Sequence, residues 1–356
     1  SFFIVNMITA MGLALGLFDD PYRGTDPARE KAVVGSREHI ELSREAGRKS
    51  VVLLKNDQDL LPLDKGRRIA LIGPFADDVD NVWGPWTIWG APERRVSLEA
   101  GFRAAMRDPQ NLTVARGSGV ETPLDGGIEQ AVAAARDAEV IVLAIGEATN
   151  MSGEAQSRTE IVVPAPQMAL VDAMAALNKP MVVLLRNGRA LALEGNVRNA
   201  QAIVVTWFLG EQMGHAVADV IFGDHGPSGR LPVSFPHRSG QQPYSYDRKT
   251  TGRPANPDLA TEEYKSRYRE TTNTALYPFG YGLTYGAVAY GPIEMEANQL
   301  QWAGTLDVAV TVTNTGRREA EELVQLYIHD RVASLTQPGR LLKDFKRVAL
   351  RPGESR

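Results

Sequence analysis

The chain has 356 residues, 43% hydrophobic and 23% charged, the make-up of an ordinary globular protein with room for two or three domains. Its net charge of -4, with no basic cluster to offset it, argues against a nucleic-acid footprint. The absence of Cys excludes disulfides and thiolate chemistry, and the five His are scattered without a pair at metal-ligand spacing, so neither a metal nor another cofactor is expected.

Residues 1–18 carry no charge and are largely apolar. They lack a basic flank and a small-residue cleavage site, and Asn6, Thr9, Gly12 and Gly16 interrupt them, so neither a membrane span nor a signal peptide is expected. The segment reads as a helix that packs on another part of a larger protein, and a chain opening on it without Met reads as cut from something longer. A polar helix is predicted over 36–48, with Ser36 as N-cap and Glu38 and Glu41 favouring its first turns.

Short apolar runs then recur at 51–54, 69–72, 114–115, 140–145, 181–185 and 202–208. Helical patterns over 127–138, 166–177 and 215–222 separate the later ones. Strands alternating with helices imply an α/β fold with a doubly wound, mostly parallel sheet.

Two stretches within this region carry chemistry. Asn81-Val82-Trp83-Gly84-Pro85-Trp86-Thr87-Ile88-Trp89-Gly90 is too loop-like for a core helix, and aromatic faces stack on sugar C–H surfaces. Burial as plain packing is the competing reading for each Trp. The run 140–145 is followed by Gly146-Glu147-Ala148-Thr149-Asn150-Met151-Ser152-Gly153-Glu154-Ala155-Gln156-Ser157-Arg158, a polar loop where open α/β sheets place their ligands. Two readings stand on spacing alone. Glu154, with a basic residue four positions on, transfers protons, or it only solvates the loop or caps the next helix.

The pattern changes near Gly223. Pro and Gly recur densely over 224–286 and favour an extended connector, whose tyrosines and Phe279 are expected to pack over a surface. From about Ala287 the period becomes two, with strands predicted at 306–312, 323–328 and 341–350 and a turn at Asn314-Thr315-Gly316. This reads as the start of a β-sandwich, one that breaks off short of the about 100 residues a complete example takes.

Together these pieces resemble the later domains of family-three glycoside hydrolases, the bacterial periplasmic β-glucosidase branch in particular. The resemblance rests on Gly16-Leu17-Phe18-Asp19-Asp20-Pro21-Tyr22, Ser50-Val51-Val52-Leu53-Leu54-Lys55-Asn56, Leu60-Leu61-Pro62-Leu63 and Ile69-Ala70-Leu71-Ile72-Gly73-Pro74. Further on it rests on Gly226-Pro227-Ser228-Gly229-Arg230-Leu231-Pro232, Tyr277-Pro278-Phe279-Gly280-Tyr281-Gly282-Leu283-Thr284-Tyr285 and Val312-Thr313-Asn314-Thr315-Gly316. Residues 1–15 depart from the family's usual basic, amphipathic helix.

The resemblance implies a flavodoxin-like α/β sandwich followed by a truncated fibronectin-III-like β-sandwich. The domain plan becomes a linker and helix over 1–35 after an absent barrel domain, the α/β sandwich over 36–223, the connector over 224–286 and the partial sandwich over 287–356. It implies that Ser152-Gly153-Glu154 with Arg158 is the element supplying a general acid/base, Glu154, to a retaining β-glucosidase. Such a residue protonates the leaving oxygen and later activates water. Trp86 and Arg158 are then the expected substrate-binding residues, Arg158 by anchoring the loop and not by touching Glu154, and Glu147 is expected to be structural. The family's nucleophile, an Asp, belongs to the barrel, so these residues alone should be inactive and neither Asp19 nor Asp20 takes that role.

The implied partners are β-linked glucosides or oligosaccharides and the barrel domain, with no nucleic acid and no membrane; a homo-oligomer is compatible with the resemblance. The implied location is periplasmic or secreted. A non-catalytic carbohydrate-binding or interaction module stays open beside the enzyme reading. A flavodoxin-like nucleotide binder is set aside because Gly73-Pro74-Phe75-Ala76 offers no phosphate-cradling Gly-rich loop.

Overall fold

The computed structural model describes residues 2–256 and 263–356. Ser1 of the apolar opening and Pro257 of the connector lie outside them. The chain divides into two compact units, Ser1–Ser43 and Arg44–Arg356.

The first unit holds α1 (Phe2–Ala14) and α2 (Pro27–Val33). Asp26 caps α2 by accepting from the amides of Ala28 and Arg29, both at 3.0 Å, and Pro27 begins it where no N–H is needed. Val5, Met7, Ile8, Met11, Leu13 and Leu15 are all exposed. Among the described residues no helix is long and apolar enough to cross a membrane. α3 (Arg37–Ser50) begins in the first unit and ends in the second.

The second unit is built on a six-stranded sheet of β1 (Val52–Asn56), β2 (Ile69–Ile72), β3 (Leu112–Ala115), β4 (Val140–Gly146), β5 (Met181–Arg186) and β6 (Ala202–Val205). Its order is β1-β6-β5-β4-β2-β3, parallel throughout except for β1, which pairs antiparallel with β6 at one edge. Between the strands run α4 (Leu98–Ala105), α5 (Gly127–Ala135), α6 (Ala165–Ala175) and α7 (Gly195–Asn199), and α8 (Met213–Ile221) follows β6.

Strict alternation along the strands explains why helices cover both faces. Val140, Val142 and Ala144 point into one core with Leu98 and Phe102 of α4 and Val217 and Ile221 of α8. Ile141, Leu143 and Ile145 point into the other with Ala131 of α5, Leu170 and Met174 of α6 and Val197 of α7. A strand buried on both sides must be apolar at every position, which is how β4 reads. Each such large side chain contributes about 1.5–3 kcal/mol of transfer free energy.

The run 202–208 is not one strand. β6 stops at Val205, and the chain turns where Trp207 takes a φ of 51°. Four elements escaped the sequence reading: α2, α7, β7 (Val288–Met295) and α4, the last capped by the Ser97 hydroxyl accepting from Ala100 N at 3.1 Å.

The connector's aromatics cover the sheet's flank. Tyr281 donates to Leu54 O at 3.2 Å, Tyr285 to Val220 O at 2.8 Å, and buried Phe235 meets Trp207 edge-on at 6.4 Å. Beyond it, β7 pairs with β8 (Val308–Asn314) and β9 (Ala320–Ile328) with β10 (Leu341–Leu350), both antiparallel. Asn314 is wholly buried at the end of β8, where its amide donates to Arg318 O and Leu350 O and its carbonyl accepts from Gly316 N. Arg230 ties this region to the connector through Glu322 at 2.8 Å.

Candidate active site

Taken in chain order, the parallel strands β2 to β6 lie in the spatial order 2-1-3-4-5, so the connections reverse direction between β2 and β4. Loops leaving the carboxyl ends of such neighbours diverge and leave a crevice between them. The loop after β2 carries Trp83, Trp86 and Trp89, and the loop after β4 carries Glu147, Glu154 and Arg158. The fold thus places both stretches singled out in the sequence at the carboxyl ends of β2 and β4, on either side of this crevice.

β4 ends at Gly146, whose φ is +127°; a Cβ there would stand 1.9 Å from the carbonyl oxygen of Arg186 on β5. Only Gly lets the chain leave the sheet this close to its neighbour. Glu147 follows with no solvent exposure at all. Its Oε1 accepts from Arg158 Nη1 at 2.8 Å and Arg189 Nε at 2.9 Å. A buried carboxylate flanked by two guanidinium groups is a structural anchor, in keeping with the sequence expectation for this residue.

The loop then rises to Glu154. Gly153, at φ +104°, and Ala155, at φ +59°, put two left-handed residues on either side of it. For Ala this backbone costs about 1–2 kcal/mol, the kind of local strain that persists only where surrounding contacts impose it. Glu154 itself is exposed, and among the described residues no hydrogen bond or ion pair engages its carboxylate. Its carboxylate is thus open to solvent beside the crevice.

The loop after β2 closes against it. Arg186, fully buried over the Phe75 ring at 4.4 Å, donates to Asp78 Oδ2 at 2.6 Å. Burial is the main force pulling its basicity down, and Asp78 opposes it. Asp78 also accepts from Asn81 Nδ2 at 2.8 Å, and Asn81 Oδ1 accepts from Thr149 N at 2.9 Å. A Cβ on Gly153 would stand 2.8 Å from Pro85 Cβ and 3.7 Å from Trp86 Cε2, so the Glu154 turn and Trp86 are neighbours.

The three Trp separate by environment. Trp83 packs on the core under the Arg95 guanidinium at 4.1 Å. Trp86 is 69% exposed beside the Glu154 turn, and Trp89 is more exposed still. Arg158 turns inward, to Glu147 and to Val162 O at 3.1 Å. Sequence reasoning missed Arg189, on the loop after β5, which donates to Glu147 and to the carbonyls of Met151 and Gln156. The polar run Asn187-Gly188-Arg189 after the apolar β5 marks the loop in the sequence but not which of its residues reaches the Glu154 turn. Among the described residues no cluster of His, Asp and Glu is arranged to hold a metal ion.

Comparison with known proteins places this chain among relatives. Residues 51–285 match the Glycosyl hydrolase family 3 C-terminal domain and residues 322–356 match the Fibronectin type III-like domain. A periplasmic beta-glucosidase of Salmonella typhimurium is 40% identical, over 96% of this chain and 47% of its own length. A beta-xylosidase of Formosa agariphila is 35% identical, again over 96% and 47%. The crystal structure of a beta-glucosidase from Listeria innocua in complex with isofagomine superposes with a TM-score of 0.92 at 35% identity, covering 98% of this chain and 48% of that one. The chain spans about half the length of the curated relatives it matches.

Proposed function

We infer, since this chain belongs to glycosyl hydrolase family 3, that it supplies the general acid/base of a retaining β-glucosidase whose nucleophile sits on a separate barrel domain. The observation that carries the reading is Glu154 itself: an exposed, unpaired carboxylate raised on a left-handed turn beside Trp86, at the crevice where the sheet's connections reverse.

In the first step Glu154 gives its proton to the glycosidic oxygen as the barrel's Asp attacks the anomeric carbon; in the second it takes a proton from the water that releases the sugar. The two carboxyl groups must then lie about 5 Å apart, so Ser1–Arg356 alone, holding one of them, does not turn over glucosides. Trp86 forms an aromatic wall on the leaving-group side, and Arg158 serves binding by keeping the loop in place. The domain plan is the one expected above, with 36–223 as the acid/base-bearing body. Its setting is the periplasm or the exterior, a reading supported by the likeness to a periplasmic relative from Salmonella.

The test is Glu154→Gln in the enzyme complete with its barrel. Alkyl glucosides, whose leaving groups need protonation, should lose about a hundred- to ten-thousand-fold in rate. Aryl glucosides with acidic phenols should keep their first step and accumulate the covalent intermediate, which azide should discharge because a small anion needs no general base. Equal losses on both substrates without azide rescue would refute the assignment and favour a carbohydrate-binding module.

A further inference from the structure

A single guanidinium grips the Glu154 loop on both sides of the residue it presents. Arg189 Nη2 donates to the carbonyl of Met151 on one flank and to that of Gln156 on the other, the latter at 2.8 Å. Its Nε donates to Glu147 Oε1 at 2.9 Å. Glu147 in turn is continuous with β4, and its own amide donates to the Arg186 carbonyl of β5 at 2.8 Å. Contacts therefore run unbroken from two central strands through a buried carboxylate to the turn. The turn's own closure is weak, since Gln156 N reaches the Gly153 carbonyl only at 3.3 Å. Ala155 holds a left-handed backbone conformation that an unbraced loop would relax out of.

We propose that Arg189, with Glu147 as its counter-charge, is a positioning residue that holds Glu154 at the distance where proton transfer to the leaving oxygen is efficient. This rests on Glu154 being the acid/base. The physical basis is geometric: a displacement of about 1 Å at a reacting group costs on the order of a hundredfold. Arg has a rigid fork that can meet a carboxylate and two carbonyls together, whereas Lys brings the same charge as a compact point on a flexible stem. Arg189→Lys therefore keeps the ion pair with Glu147 and gives up the grip.

In the enzyme complete with its barrel, Arg189→Lys should lower kcat/KM for an alkyl glucoside about ten- to hundredfold. It should leave kcat/KM for an aryl glucoside with an acidic phenol near the wild-type value, and azide should speed release of the covalent intermediate. In the chain itself, amide exchange over 152–157 should rise while that of β4 and β5 stays slow. Equal losses on both substrates, or wild-type kinetics with unchanged exchange, would overturn the proposal. Glu154→Gln run in parallel separates the two ideas. If it lacks leaving-group dependence, the acid/base reading fails and takes this one with it; if it has that dependence and Arg189→Lys does not, positioning alone fails. Should Arg189→Lys not fold, Arg189→Gln, which keeps a donor but cannot span both the Met151 and Gln156 carbonyls, carries the test. It should give the same leaving-group dependence, and equal losses on both substrates would overturn the clamp.

Discussion

Replacing Glu147 by Ala is expected to be among the costlier single changes in the α/β body that leave the hydrophobic core intact. Breaking a buried ion pair by removing one partner costs about 3–5 kcal/mol when the surviving charge is stranded. The survivors here are not fully stranded: the Glu147 side chain is 0% exposed, but those of Arg158 and Arg189 are 21% and 22% exposed. Both also keep carbonyl partners, Val162 for one and Met151 and Gln156 for the other. The charges can rehydrate in part, which lowers the expected loss to about 2–4 kcal/mol. Glu147→Gln keeps the shape and an acceptor and loses only the charge-assisted share, about 1–2 kcal/mol. Urea unfolding followed by circular dichroism measures both, with a fall in melting temperature on the order of 5–10 °C for the Ala variant. In the double variant with Arg189→Ala the losses should fall short of additive by about 0.5–3 kcal/mol. A loss for Glu147→Ala under about 0.5 kcal/mol, the size of an ordinary surface change, would refute the anchoring role.

Three further expectations follow from other parts of the molecule. Gly153→Ala places a Cβ 2.8 Å from Pro85 Cβ at a φ of +104°; it should cost about 1–2 kcal/mol and raise amide exchange in both loops, and unchanged exchange would count against their contact. His225 is held below its ordinary pKa chiefly by burial, with Arg48 adding to it, and its Nε2 is buried without a partner among the described residues. As pH falls through the unfolded histidine value near 6.5 the unfolded chain takes up the proton first, so the urea midpoint should drop between pH 8 and 5.5. His225→Gln should flatten that drop, and an unchanged slope would exclude it as the cause. The exposed apolar side chains of α1 predict concentration-dependent association of this chain in sedimentation, reduced by Ile8→Lys with Met11→Lys; equal association of the variant would place the contact elsewhere.

The legible parts of the fold are those where burial leaves no choice of residue. β2, β4 and β5 are covered on both faces, so 69–72, 140–145 and 181–185 were continuous apolar runs and read as strands. β7 was hidden for the opposite reason. Tyr290, Ile293 and Met295 are exposed, and Gly291-Pro292 shifts the register against β8 between Tyr290 and Ile293, so no clean alternation survives. α4 spans only eight residues, shorter than the stretch over which a helical period can be told from a chance run. At the site, Glu154 and Trp86 were legible because a polar or aromatic loop after an apolar strand is conspicuous. Arg189 was not, since most of its acceptors are main-chain carbonyls, which every residue has, and because a carboxylate as deeply buried as Glu147 is contrary to the usual exposure of charge.

That preference of Arg189 for carbonyls has a consequence for how this loop can change over evolutionary time or by design. A guanidinium holding main-chain oxygens at Met151 and Gln156 is indifferent to the side chains between them. Ser152 is buried and Gly153 is fixed by its φ, so the exposed positions 154 and 155 are the ones that can be exchanged while the frame that receives them stays as it is, 154 with loss of the proposed acid/base. The segment behaves as a cassette: diversity introduced between two fixed grips reaches the crevice without passing through the core. Libraries confined to those positions should retain folding far more often than libraries of equal size placed at 147, 158 or 189.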